Sequence, residues 1–248
     1  MKKWMVSCLV VSLVWSVNAQ QKDTRYYELR TYYTNEGKRP DLINRFKNHT
    51  LALFEKSGME NIGYFLPLDE ANQTLIYFLA YPDKASREAS WKKFMDDPAW
   101  KAAYAQSIVN GKLVAKIEST FLSKAPELNP GFKPLAQGDK IFELRTYYCA
   151  PGKVDAVNAR FRDHTQKLFE KHGMVNVAYW FTEEEDGKQP KLVYLLAHSS
   201  VEAAKSSFDA FRTDPDWIKA RDASEANGKI VEKVESIYLK ALPFSPLK

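Results

Sequence analysis

Hydrophobic and polar residues follow two different periods along this chain. Residues 26–33 alternate and are rich in Tyr and Thr, which is typical of a β-strand. Leu42, Phe46, His49 and Leu53 then recur every three or four residues, which predicts a helix. Gly58 follows this segment, and a glycine is the residue most often found just after the end of a helix.

The pattern then returns to strands and adds a second helical region. Apolar segments near residues 62–66 and 75–81 predict two strands, and a helical stretch follows from about residue 85. Asp97-Pro98 predicts a new helix start, with Asp as N-cap and Pro in the first turn. A final strand is predicted near 113–122, so the order is β-α-β-β-α-β, as in ferredoxin-like domains.

The same pattern occurs twice. Residues 28–33, Glu-Leu-Arg-Thr-Tyr-Tyr, return unchanged as residues 143–148, and the block from Arg45 to Met59 returns as Arg160 to Met174. The offset between copies is 115 at Gly58 and Gly173 (173 − 58) and 117 at Leu75 and Leu192 (192 − 75). Two residues were therefore inserted in the intervening loop, and a period this long indicates duplicated domains.

The third strand of each repeat indicates how the repeats pack. Residues 75–81 and 192–197 are apolar at every position, which is typical of strands buried on both faces. Helices cover one face, so we expect the other repeat to cover the second. The predicted fold is α+β, with two ferredoxin-like βαββαβ repeats packed sheet to sheet as an intramolecular α/β barrel. The predicted domains are residues 20–124 and 139–248, joined by a linker at 125–138.

The first 19 residues have the layout of a secretory signal peptide. Lys2 and Lys3 precede an apolar run, and Val17-Asn18-Ala19 provides small residues for cleavage. The run is shorter than the roughly 20 apolar residues that span a bilayer. We therefore expect no membrane span, cleavage near Ala19, and a protein that is exported and either periplasmic or secreted.

Composition limits the function classes further. Loss of Lys2 and Lys3 reduces the formal charge from +5 to +3 (5 − 2), which is too weak for a predicted nucleic-acid partner. The mature chain keeps one cysteine, Cys149, and so has no internal disulfide. With 45% hydrophobic residues it can build two ordinary cores. Because the barrel closes within one chain, a monomer with an internal pseudo-dimer is expected.

Several motifs together resemble the NIPSNAP family of the dimeric α/β barrel superfamily. They are the Tyr-x-Leu-Arg-Thr-Tyr strand at 27–32, Gly37-Lys38 before the first helix, the helical His49 before a glycine, and Asp-Pro-x-Trp at 97–100. The resemblance implies two ferredoxin-like units that form a barrel with a central cavity. It implies little about activity, because the family has no agreed catalytic residues.

His49 and His164 occupy equivalent positions on the predicted apolar stripe of helix one, and they are the candidate catalytic residues. A histidine there can act as a base or ligate a metal or haem iron. The alternative is a core histidine with one hydrogen bond. No metal site and no cofactor are predicted; haem is the cofactor that such a histidine would admit.

One face of the first strand carries Tyr26, Glu28, Arg30 and Tyr32 in repeat one. If this face lines the cavity, Arg30 can bind a carboxylate and the tyrosines can contact a ligand. The alternative is a structural cross-strand pair between Arg30 and Glu118. The predicted ligand-binding residues are Arg30, Arg145, Glu28, Glu143, Tyr32, Tyr147, Tyr64 and Tyr179.

Motifs of several enzyme classes are absent from the sequence. It contains no glycine-rich phosphate loop, no metal-spaced Cys/His cluster and no serine nucleophile elbow. Two functions stay open. The first is a protein that binds a small hydrophobic or aromatic ligand in a barrel cavity, with chemistry of the monooxygenase or isomerase type that the superfamily allows. The second is a non-catalytic protein-interaction module. The sequence does not decide whether the protein is an enzyme.

Overall fold

The computed structural model describes residues 23–125, 127–128, 135, 138–183 and 188–248. The expected signal peptide, most of the predicted linker and part of the loop with the two-residue insertion lie outside these ranges. Within them each repeat has the predicted order of elements. The strands are β1 (Tyr26–Thr34), β2 (Glu60–Pro67), β3 (Thr74–Tyr81), β4 (Val114–Lys124), β5 (Ile141–Cys149), β6 (Val175–Thr182), β7 (Leu192–His198) and β8 (Val231–Ala241).

The first helical region of each repeat is interrupted by a π-helical turn. The turns are Phe46–Thr50 and Phe161–Thr165. The α-helices are α1 (Arg39–Arg45), α2 (Leu51–Lys56), α3 (Lys84–Asp96), α4 (Pro98–Ser107), α5 (Val154–Arg160), α6 (Gln166–Lys171), α7 (Val201–Thr213) and α8 (Pro215–Ser224). Asp97 caps α4, as predicted, by accepting from the N–H group of Ala99, and the equivalent Asp214 caps α8 by accepting from the N–H group of Asp216.

The eight strands form one closed antiparallel barrel in the order β1-β3-β2-β8-β5-β7-β6-β4. Two junctions join the repeats: β2 pairs with β8 through Phe65↔Ala241, and β4 pairs with β6 through Leu122↔Thr182. These junctions are equivalent under the duplication, so each repeat uses the same two strands to hold the other. Closure leaves no free sheet edge in the barrel.

The interior of the barrel is filled by side chains. Phe78 stacks on Trp180 with ring centroids 5.1 Å apart, and Phe65 meets Phe142 edge to face at 5.0 Å. These rings belong to one buried apolar cluster with members from both repeats. The double burial predicted for β3 and β7 is confirmed, since every residue of both strands is buried. The middle of the barrel, where the resemblance implied a cavity, is therefore occupied by protein. A cavity of about 280 Å³ lies between the repeats beside Ile76, Leu144 and Ile237.

Each repeat has a second apolar layer between its helices and its part of the sheet. In repeat one this layer includes Leu42, Phe46 and Phe54 from the first helical region; in repeat two it includes Val157, Phe161 and Phe169. Within the described ranges, no helix combines the length and the apolar character needed to cross a membrane.

Candidate functional site

The candidate site is a cavity of about 760 Å³ between the sheet and the helices of repeat one. It lies in the helix layer and not at the barrel axis. Aromatic rings form much of its wall, namely those of Tyr32, Phe46, Phe54, Trp91, Phe94 and Trp100. Its volume falls within the range of cavities that hold small organic ligands, roughly 300–1,000 Å³.

The cavity opens to solvent along an apolar rim. Met95, Tyr104 and Ile117 line it and keep 53%, 41% and 46% of their surface exposed. Solvated apolar side chains around a concave site mark a binding surface more often than scattered exposed residues do. A ligand can therefore enter without unfolding of the helix layer.

The charged groups that line the cavity are all cationic. They are Arg30, Arg45, Lys101, Lys112 and Lys116, and no carboxylate, imidazole or thiol lines it among the described residues. Lys116 is neutralised by Glu118 at the surface. The local charge of the wall thus depends on how Arg30 and Arg45 are compensated.

Arg30 is compensated by Glu28, which is fully buried behind it. The Glu28 carboxylate accepts hydrogen bonds from Arg30 Nη1, from Nε and Nη2 of Arg87 at 3.1 Å each, from Tyr81 at 3.0 Å and from Trp91 Nε1 at 3.0 Å. The Arg30 guanidinium also lies 4.4 Å from the centroid of the Trp91 ring. Arg30 is therefore held rigidly at the cavity wall by an internal counter-ion.

Burial acts to raise the pKa of Glu28, but the hydrogen bond from Arg87 and the charge of Arg30 outweigh it, and the pKa lies below its ordinary value. The equivalent Glu143 behaves alike: burial opposes ionisation, and His198, Arg145 and Ser236 lower its pKa. Both carboxylates are thus ionised members of buried networks. The predicted pair Arg30–Glu118 is wrong, because Glu118 is opposite Thr31 in the ladder and bonds Lys116 and Tyr33 on the other face.

Arg45 has a different environment. It ends α1 and is only 6% exposed. Its Nη1 donates to Ser107 Oγ at 3.0 Å, and its guanidinium lies 5.3 Å and 5.4 Å from the ring centroids of Trp100 and Tyr104. No carboxylate is within ion-pair distance in the part of the chain that the structure describes. Burial lowers the pKa of Arg45.

Repeat two contains the same arginine with a counter-ion. Arg160 corresponds to Arg45, donates to Ser224 at 3.2 Å and lies 5.2 Å from the Trp217 ring. It also forms an ion pair of 3.0 Å with Glu225. With the offset of 117, Ser224 corresponds to Ser107 and Glu225 to Ile108. Two neighbours of this arginine thus differ between the repeats: Glu225 replaces Ile108 and adds a carboxylate, and Arg221 replaces Tyr104.

The π-helical turns position these arginines. In each repeat a threonine hydroxyl donates five residues back, from Thr50 to Arg45 O at 3.2 Å and from Thr165 to Arg160 O at 3.1 Å. The wider turn places both Arg45 and Thr50 on the buried side, where they line the cavity. Such turns are frequent at functional sites.

The π-helical turn also explains why the prediction that His49 and His164 lie on an apolar stripe is wrong. His49 and His164 lie within the π-helical turns, and both are exposed. A regular helix would have placed His49 with Phe46 on the apolar side, but the wider turn rotates it outward. Neither the core histidine nor the histidine buried in a barrel cavity is observed. Among the described residues, no group of three or more His, Cys, Asp or Glu could hold a metal ion.

The other predicted ligand-binding residues separate into two groups. Arg30 and Tyr32 line the cavity, and Glu28 supports Arg30 from behind. Tyr64 and Tyr179 are buried and stack on Tyr77 and Tyr194, so they belong to the helix layer of each repeat. In repeat two, Glu143 pairs with Arg145, and Arg145 Nε donates to Tyr194 at 2.9 Å next to Tyr147. The strand-one face therefore points to the helices, not to the barrel interior.

The sequence interpretation missed Arg45. The residue starts the repeated Arg-Phe-x-x-His-Thr block, and its buried position follows from the π-helical turn. The informative signal was not the repetition itself but the difference between Ile108 and Glu225 at the end of the second helical region.

The sequence profile of the NIPSNAP family matches residues 27–128 and again residues 142–246. The two matches cover both repeats and more than half of the chain, so the protein belongs to the NIPSNAP family. No curated protein matches the chain with significant similarity.

Solved structures share the whole fold at low sequence identity. A putative monooxygenase from Lactobacillus acidophilus superimposes with a TM-score of 0.58 at 12% identity, covering 88% of this chain and 94% of its own. A putative monooxygenase from Fusobacterium nucleatum gives 0.56 at 10% identity, covering 91% and 98%. An anthrone oxidase-like protein gives 0.56 at 12% identity, covering 89% and 92%. These similarities confirm the barrel fold and do not extend to activity.

Proposed function

We propose that this NIPSNAP-family protein binds a small aromatic or hydrophobic ligand in the cavity of its first repeat. The observation that supports the proposal is the solvent-connected cavity of about 760 Å³ with seven aromatic rings in its wall, Tyr104 of the rim included. The open apolar wall is costly for the domain, because apolar surface left in water forgoes the roughly 25 cal/mol per Å² that burial contributes. A bound ligand would recover part of that cost by burying apolar surface.

The proposal is limited to binding. General acid–base chemistry at neutral pH is usually carried by His, Asp, Glu, Lys or Cys placed against the ligand. The described wall of the cavity offers guanidinium, ammonium, phenol and hydroxyl groups, with the ammonium groups of Lys101 and Lys112 on exposed side chains. This composition favours binding of the ligand over isomerase-like proton abstraction. Oxygen consumption by the protein with a bound aromatic ligand would extend the proposal to monooxygenase-like chemistry.

The test is a titration of the mature protein with 2-naphthol, a neutral bicyclic probe, followed by calorimetry and by quenching of tryptophan fluorescence. Trp91 and Trp100 line the cavity, so occupancy should quench their emission. Ile108→Trp places an indole in the cavity and should weaken binding at least ~10-fold, which equals about 1.4 kcal/mol.

Val109→Trp is the matched control. Val109 is the next residue along the chain, is 78% exposed and does not line the cavity. It should bind the probe like the wild type. Absence of 2-naphthol binding, or equal binding by Ile108→Trp and the wild type, would refute the proposed site.

We also propose export and a monomeric state, based on the apolar N-terminal segment and on closure of the barrel within one chain. The intact mass of the protein recovered from an exporting host should correspond to a chain that begins at Gln20, and light scattering should give one chain per particle. A full-length mass or a stable dimer would contradict these two points respectively.

A further inference from the structure

We infer that the ligand of the repeat-one cavity is a carboxylic acid whose anion pairs with Arg45. The inference rests on the proposed function, because it names the chemical class of the ligand for the same cavity. It is supported by a difference between the two repeats that the fold itself does not require.

Repeat two shows what an arginine at this position pairs with. Arg160 has a serine, a tryptophan ring and the Glu225 carboxylate around its guanidinium. Arg45 has the equivalent serine and tryptophan, but Ile108 replaces the carboxylate-bearing residue. Ile108 and Glu225 have nearly the same backbone conformation at the ends of α4 and α8, with φ of −105° and −106°. The missing partner is therefore one carboxylate and not a rearranged helix.

A guanidinium buried without a counter-ion is costly, and the cost is removed when an anion binds beside it. Arg45 keeps donors for such an anion. Nη1 bonds only Ser107, whereas Nη1 of Arg160 bonds both Ser224 and Glu225. Nε has no hydrogen-bond partner among the described residues in either arginine. A guanidinium presents its N–H groups in a planar fork that matches the two oxygens of a carboxylate.

The rest of the cavity fits an anion with an apolar body. Lys101 and Lys112 lie at the exposed part of the wall, and none of the described residues that line it is acidic, so the local field attracts anions. The rings of Trp91, Phe94 and Trp100 can enclose the apolar part. Arg30 does not compete for the carboxylate, because Glu28 already neutralises it.

The test compares 2-naphthoate with 2-naphthamide, which has nearly the same shape without the charge. Wild-type protein should bind the acid at least ~10-fold more tightly than the amide, since hydrogen bonds to charged groups contribute about 10- to 100-fold in affinity. Arg45→Gln should abolish this preference and change the affinity for the amide less than about 3-fold.

A second pair of variants protects the test against misfolding of Arg45→Gln. Ile108→Glu gives repeat one the internal carboxylate of repeat two, whereas Ile108→Gln has the same shape without the charge. Ile108→Glu should bind 2-naphthoate at least ~10-fold more weakly than Ile108→Gln, and the two variants should bind 2-naphthamide equally.

The outcomes separate the inference from the proposed function. If the wild type binds acid and amide equally, or if Ile108→Glu and Ile108→Gln bind the acid equally, the carboxylate inference is wrong while ligand binding in the cavity stands. If none of the three compounds, 2-naphthoate, 2-naphthamide and 2-naphthol, binds, the proposed function is wrong and the inference fails with it.

Discussion

Replacement of Glu28 by Gln should strongly destabilise the protein. The carboxylate is fully buried and accepts five hydrogen bonds, three of them from the guanidinium groups of Arg30 and Arg87. Glutamine has nearly the same shape but no charge, so the substitution leaves two cationic groups beside a neutral amide.

The expected loss is worked from the burial of the three charges. Removal of one partner from a buried ion pair costs about 3–5 kcal/mol because the other charge is left uncompensated. The side chains of Arg30 and Arg87 keep 10% and 15% of their surface exposed, and Arg87 also pairs with Glu88 at 2.6 Å. Solvent and Glu88 therefore compensate part of the loss, and we expect about 3 kcal/mol, the lower end of the range.

The assay is urea unfolding at equilibrium, analysed by linear extrapolation. With a slope of about 2–3 kcal/mol per M, the midpoint of Glu28→Gln should fall by roughly 1 M or more. Glu118→Gln is the control: Glu118 is exposed, and its pair with Lys116 at the surface should contribute less than about 1 kcal/mol. A loss below about 1 kcal/mol for Glu28→Gln would refute the role assigned to the buried charge.

The pH dependence gives a second check. The pKa of Glu28 in the folded protein lies below its ordinary value of 4.5, because Arg87 and Arg30 outweigh burial. The folded state therefore gains stability from ionised Glu28 above the unfolded pKa, and this gain is lost as pH falls through the lower folded pKa. The stability difference between wild type and Glu28→Gln should be constant near pH 7 and shrink below about pH 4.5. A difference that is the same at pH 7 and pH 3 would contradict this mechanism.

Three further predictions concern the fold. Trp180→Ala should cost about 3–5 kcal/mol in urea unfolding, because Trp180 is fully buried in the barrel interior and stacks on Phe78; a cost near that of Val109→Ala, an exposed control, would contradict a filled interior. Isolated residues 20–124 should aggregate or homodimerise in size-exclusion chromatography with light scattering, because β2 and β4 lose their partners β8 and β6; a stable folded monomer would disprove the interdependence of the repeats. His49→Ala should change stability by less than about 0.5 kcal/mol and leave 2-naphthol binding intact, since the side chain is exposed; a larger effect on either quantity would return His49 to the site.

Much of the fold could be predicted because the two repeats give two separate observations of the same pattern. Two copies of the same strand and helix pattern give the order of elements twice, and the fully apolar β3 and β7 require cover on both faces. That requirement predicts a barrel from the sequence pattern alone. The pattern does not show whether a cavity lies in the barrel interior or in the helix layer. Neighbouring apolar residues of one strand point to different layers, as Phe65 does to the barrel interior and Tyr64 to the helix layer.

The site was harder to predict for two physical reasons. The periodicity argument assumed 3.6 residues per turn, and the π-helical turn Phe46–Thr50 breaks that period. As a result His49 lies on the exposed side of the helical region and Arg45 on the buried side. The strand argument placed Arg30 and Glu118 in register, but the ladder pairs Glu118 with Thr31, and a shift of one residue changes the face of a side chain.

The comparison between repeats is more informative than their common motifs. Duplication copies structural residues and functional residues alike, so the presence of Arg45 and Arg160 at one position does not assign either a role. The difference between Ile108 and Glu225 is what separates their roles. The buried charge of Arg160 is compensated by the Glu225 carboxylate, whereas the buried charge of Arg45 has no carboxylate beside it among the described residues. The first repeat also combines this arginine with an open aromatic cavity. If binding of the acid needs both the arginine and the cavity, Glu225→Gln alone should not create a second site for 2-naphthoate, because Arg221 and Arg212 replace Tyr104 and Met95 of the rim in repeat two. A second site should require that these two arginines are changed as well.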